Sequence, residues 1–181
     1  MTELDDQISR ERKELERHPP GDSGRAMALS NLAVFLGHKF LETDDIAEIE
    51  EAFALHQSAL DLRPAGHSNR SDSLHGLAFC FSCRYNKQDT IADLEQAITL
   101  GRAALELRSP GHSNRAVTLN NLAYDLRKRF LKLGANGDLD EAISLHQSAL
   151  DLRPPGHSDR SNSLHSLWVC YVRRHDWIDR A

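Results

Sequence analysis

Three histidines, His67, His112 and His157, recur every 45 residues inside the triplet GHS, and Cys80 and Cys83 form the sequence FCFSC. Histidine and cysteine are the common ligands of transition metals, so the first chemistry to weigh is a metal site. The spacing argues against it. One histidine per unit, with helical units packed about 10 Å apart, does not converge three imidazoles on one ion, so these histidines are expected to build turns. A lone CxxC inside a helix lacks the second ligand pair that a zinc site needs. His75 precedes Cys80 by five residues and falls off its face, and Cys170 repeats Cys80 two periods on. Free buried thiols are the expectation. His56 and His146 are expected to pack. No phosphate-cradling glycine loop, paired-carboxylate motif or nucleophile elbow occurs. We therefore expect no catalytic residues, no cofactor and no metal.

The elements that carry these residues are repeats. Gly21, Gly66, Gly111 and Gly156 stand 45 residues apart, within PPGDSGR (19–25), PAGHSNR (64–70), SPGHSNR (109–115) and PPGHSDR (154–160). LHQSALDLRP occurs unchanged at 55–64 and 145–154. Such a period marks one supersecondary unit stacked on its neighbours. Each unit holds two helical patterns. Helix A carries Leu29, Leu32, Ala33, Leu36 and Phe40, repeated as Leu74, Leu77, Ala78, Phe81, Tyr85 and as Leu119, Leu122, Ala123, Leu126, Phe130. Helix B carries Ile49, Ala52, Phe53, Ala59 and Leu60, repeated through Ala97 and Ala104 and through Ala142 and Ala149. No stretch alternates with period two. The chain reads as one array: a half-unit at 1–18, units at 19–63, 64–108 and 109–153, and a closing half-unit at 154–181. Helices are expected near 2–17, 23–41, 45–62, 68–85, 89–107, 113–132, 137–152 and 158–175. Ser68, Ser113 and Ser158 are expected to cap A helices, and Asp138 with Glu141 to open a B helix as a capping box.

Small residues sit where the two helices must approach. Ala33, Ala78 and Ala123 on helix A face Ala52, Ala97, Ala142 and Ala59, Ala104, Ala149 on helix B, where larger side chains would overpack. With LNNLAYDL (119–126) followed by GDLDEAISLHQSALDLRP (137–154), these residues resemble the tetratricopeptide repeat in its longer, kinesin-light-chain-like form, similar to the long tandem arrays of fungal proteins. The resemblance covers essentially the whole chain. It implies an all-α, right-handed α-α superhelix of about eight antiparallel helices. It also implies a concave groove lined by the A helices. On that pattern the groove residues include Asn31, His75, Phe79, Asn120, Asn121, Tyr124, Arg127, Lys128 and His165. Asparagine amides there can donate to and accept from a peptide backbone, and Phe79 and Tyr124 can pack a ligand side chain. The family's carboxylate clamp needs Lys where this chain has Ser30, His75, Asn120 and His165, so that activity is not implied.

Charge adds two expectations. Arg25, Arg70, Arg115 and Arg160 open the A helices, and Glu16, Asp61, Glu106 and Asp151 lie nine residues earlier at the ends of B helices. Each is misplaced against its own helix dipole, so an ion pair across every B-to-A turn is expected. Net charge is −5, yet the A helices carry a positive excess, which makes the groove mildly basic. The overall balance disfavours a nucleic-acid or membrane-surface binder. No apolar run approaches the roughly 18 residues of a spanning helix. The acidic N-terminus does not read as a signal peptide, and three unframed cysteines suit a reducing, cytoplasmic setting. Trp168 stands in the last A helix where Ala33, Ala78 and Ala123 pack against helix B, and is expected to cover the end of the stack. Together these features lead us to expect a non-catalytic interaction scaffold for a protein or peptide ligand, as monomer or weak homodimer. The alternative is a structural module for self-association or spacing.

Overall fold

The computed structural model describes residues 2–178. Among them are eight helices and no strand: α1 (Glu3–Arg17), α2 (Arg25–Thr43), α3 (Ile46–Asp61), α4 (Arg70–Gln88), α5 (Ile91–Leu107), α6 (Arg115–Leu133), α7 (Asn136–Asp151) and α8 (Arg160–Ile178). The fold is all-α, as the 3.6-residue periodicity requires. It forms two compact units, Met1–Ala104 and Leu105–Ala181. No helix among the described residues is long and apolar enough to cross a membrane.

In the first unit the A helices α2 and α4 flank the B helix α3, and α1 packs on α2. Ile8, Leu32, Leu36, Phe40, Ile49, Cys80 and Cys83 share one buried cluster. In the second unit α7 packs on α6 and α8, burying Leu119, Leu122, Leu126, Phe130, Leu139, Leu167 and Cys170. The alanine positions are sealed: Ala52, Ala59, Ala97, Ala104, Ala123, Ala142 and Ala149 are 0% exposed, Ala33 1% and Ala78 6%.

The turns explain the period. Gly21, Gly66, Gly111 and Gly156 all have φ between 88° and 95°, a region closed to side chains by the clash of Cβ with the backbone. His67, His112 and His157 use Nδ1 to accept the backbone N–H of Asn69, Asn114 and Asp159 at 3.1, 3.2 and 3.1 Å. Asp22 holds the same place in the first turn and accepts from Gly24 N at 2.6 Å. A helices end on a left-handed residue, Asp44, Asp89 or Gly134, whose N–H returns to Phe40, Tyr85 or Phe130.

Two capping expectations need correction. The A helices start later than expected, with Gly24, Asn69 and Asn114 at the N-cap and no side-chain cap bond. Ser68 turns instead to Asn69 Oδ1. Helix α7 starts at Asn136, which places Asp138 inside the first turn, where an arginine claims its carboxylate.

Candidate functional site

The expected ion pairs across the B-to-A turns do not form. Arg25 donates instead to the carbonyl of His18 at 2.6 Å and Arg70 to that of Arg63 at 2.5 Å. Arg115 and Arg160 donate in the same way to the carbonyls of Arg108 and Arg153. The last carbonyls of a helix have no partner within it and carry its negative pole. A guanidinium from the next helix satisfies both needs. Asp61 and Asp151 meanwhile accept from Gln57 and Gln147, each at 3.0 Å.

Nine-residue ion pairs do exist, across the other turn. Lys39 meets Glu48 at 3.1 Å, Arg84 meets Asp93 through a fork at 2.6 and 2.8 Å, and Arg129 meets Asp138 at 2.7 and 2.8 Å. Asp93 and Asp138 are buried, so these forked pairs sit away from full screening. They tie each A helix to the B helix that follows.

Behind the turns lies a set of buried arginines. Arg63, Arg108 and Arg153 are 2%, 1% and 4% exposed. Arg63 at the end of α3 donates to Ser30 Oγ (2.9 Å) and Ala26 O (3.0 Å) on α2 and to Ser73 Oγ (2.7 Å) on α4. Arg153 donates to Ser163 Oγ at 2.6 Å, and Arg108 to Thr118 Oγ1. Ser73, Thr118 and Ser163 each come ten residues after their arginine. The first turn has His18 and Ala28 at these places, and His18 bonds Asp22 and Glu14 instead.

The A-helix face sits on this frame. In the first unit Asn31 is exposed on α2, while His75 and Phe79 on α4 are half-buried. The ring of Phe79 lies against Gly37 of α2, where a Cβ would come within 3.1 Å of it. In the second unit Tyr124 is 42% exposed. The Arg127 guanidinium lies 5.2 Å and the Lys128 ammonium 4.2 Å from its ring centroid, a cation–π arrangement that stiffens a basic aromatic patch. Asn121 is half-buried beside it, and His165 of α8 is exposed. Asn120 differs from the expectation of a ligand-facing amide. Its Oδ1 meets His146 Nδ1 at 2.9 Å and its Nδ2 donates to Ser163 Oγ at 3.2 Å. A buried chain Arg153–Ser163–Asn120–His146 thus links α7, α6 and α8. Trp168 is 60% exposed on α8, its ring 6.0 Å from that of His165.

His56 and His146, 4% and 1% exposed, have pKa values pushed down to about 4, first by burial and then by nearby arginines. Buried neutral imidazoles make a testable pH dependence. Above the ordinary value of 6.5 their contribution to stability is complete. Between 6.5 and about 4 only the unfolded chain takes up the proton, so stability falls as pH falls. Each histidine accounts for roughly 3 kcal/mol over that interval. The urea midpoint should drop between pH 7 and pH 4.5, and less steeply in a His56→Ala/His146→Ala variant. Cys80, Cys83 and Cys170 are buried and form no disulfide, and burial raises the Cys80 and Cys170 thiols above their ordinary value.

Paired helices with sealed alanine seams, glycine turns and an open A-helix face define an α-helical repeat protein. The tetratricopeptide repeat model matches residues 115–159, one 45-residue period. The same residues recur in the other units, so the match supports a repeat protein of the tetratricopeptide type. No curated protein matches it.

Proposed function

We propose that the chain is a non-catalytic scaffold whose A helices hold a peptide or helix of a partner protein. Tetratricopeptide repeats generally mediate protein–protein interaction, which supports the class. The observation that carries the finer reading is the patch of Tyr124, Arg127 and Lys128. An exposed aromatic ring braced by two cations offers a preorganised anchor at low entropic cost. Asn121 and His165 flank it on α6 and α8. Asn31, His75 and Phe79 are the corresponding contacts in the first unit. Asn120 is a support beneath the face, because its amide is already bonded on both sides.

The test is affinity capture with the wild-type chain and with the triple variant Asn121→Ala/Tyr124→Ala/Arg127→Ala. A partner lost by the variant at unchanged thermal midpoint supports groove capture. A partner retained in full points instead to a structural module with its contacts elsewhere.

A further inference from the structure

Helix α8 exposes Leu164, Trp168, Tyr171 and Val172 by 47%, 60%, 49% and 36%. They stand at i, i+4, i+7 and i+8, so they form one apolar stripe. The repeat register says what such a stripe is for. One period earlier Leu119, Ala123 and Leu126 hold the first three places on α6, and are 3%, 0% and 0% exposed where α6 packs with α7. On α2 the places belong to Leu29, Ala33 and Leu36, equally buried, with α3 as the packing neighbour.

In each of these pairs a carboxylate in the first turn of the B helix meets the cation near the end of the A helix, Glu48 with Lys39 and Asp138 with Arg129. Helix α8 repeats the cation as well. Arg174 stands in register with Lys39, Arg84 and Arg129, its side chain half exposed and 3.5 Å from the exposed Asp140. Among the described residues no helix lies over the stripe.

We propose that this face of α8 docks an amphipathic helix of a partner protein, antiparallel to α8. Its first turn carries Asp or Glu to meet Arg174, and its apolar face carries Gly or Ala opposite Trp168. The acid follows from charge complementarity, which the repeat uses in every described A–B pair. The small residues follow from volume, since an indole stands where the other A helices have a methyl group. Helix α1 of a second copy meets only the first condition. It has Glu3 in register with Glu48, but Gln7, Glu11 and Glu14 in the register of Ala52, His56 and Ala59. Those polar groups would lose water against the indole.

The probe is a stapled helical peptide with the sequence of residues 136–154 and Ala142→Gly, which supplies an acid and a notch. It is titrated into the full chain carrying Trp177→Phe, so that fluorescence reports Trp168. A saturable blue shift is expected, weakened about five-fold when the peptide carries Asp138→Asn and abolished by Leu164→Glu, which keeps the Trp168 reporter. Circular dichroism of the Leu164→Glu chain should remain unchanged. Absence of a shift at millimolar peptide would overturn the proposal, as would a shift indifferent to both changes. Sedimentation that shows a dimer of the chain alone, dispersed by Trp168→Glu, would also overturn it by making a second copy the occupant.

Discussion

Replacing Arg63 with alanine should destabilise the first unit by at least about 3 kcal/mol. The guanidinium is buried and holds three partners on two helices, Ser30 Oγ and Ala26 O on α2 and Ser73 Oγ on α4. Hydrogen bonds from a charged donor contribute about 1.5–3 kcal/mol each, and removing the donor leaves two hydroxyls and a carbonyl that have lost it. Lysine should not rescue the loss. A single ammonium on a flexible stem cannot reproduce a planar fork directed at three acceptors. Chemical denaturation of wild type, Arg63→Ala and Arg63→Lys gives the comparison. A lysine variant as stable as wild type would show that the geometry of the fork is irrelevant.

The second large effect is expected at Gly76. A Cβ built there would lie 2.6 Å from His56 Nδ1 and closer still to Cε1 and Nε2. His56 is 4% exposed and has no room to withdraw, so Gly76→Ala overpacks the contact between α4 and α3. The cost is about 3 kcal/mol, the upper part of the range for overpacking. Glycine in a helix is ordinarily about 1 kcal/mol worse than alanine, so a neutral site would show the opposite sign. His56→Ala should remove much of the penalty, and a double-mutant cycle measures that coupling. Additive single-variant effects would mean that the imidazole is not what the new methyl group meets.

Much of the fold was legible because repetition averages away accident. The A and B stripes, the alanine seams and the turn histidines each occurred three times at one spacing, and each lies where packing requires. The charges were harder. Arg25 and Glu16 share their nine-residue offset with Lys39 and Glu48, and both series recur with the repeat. Only the three-dimensional path decides between them. At the B-to-A turn helix-end carbonyls come within reach of the guanidinium first, whereas at the A-to-B turn the cation meets a first-turn carboxylate. The buried arginines are hidden in the sequence, since arginine ordinarily reads as surface. Their signal was present all the same. Arg63, Arg108 and Arg153 are each followed ten residues on by Ser or Thr, while His18 is followed by Ala28. Asn120 differs from its expected role for a related cause. Its place in the helix suits a ligand-facing amide, and the presence of His146 and Ser163 beside it depends on which helices become neighbours.

The claim that the A helices form the contact face is tested most directly by site-specific photo-crosslinking. A photoreactive residue is placed at Tyr124 on α6 in one chain and at the exposed Ser148 on α7 in another, and each is irradiated with the captured partner. Crosslinks from position 124 with none from position 148 are the predicted result. Crosslinks confined to position 148 would put the partner on the B helices and contradict the account.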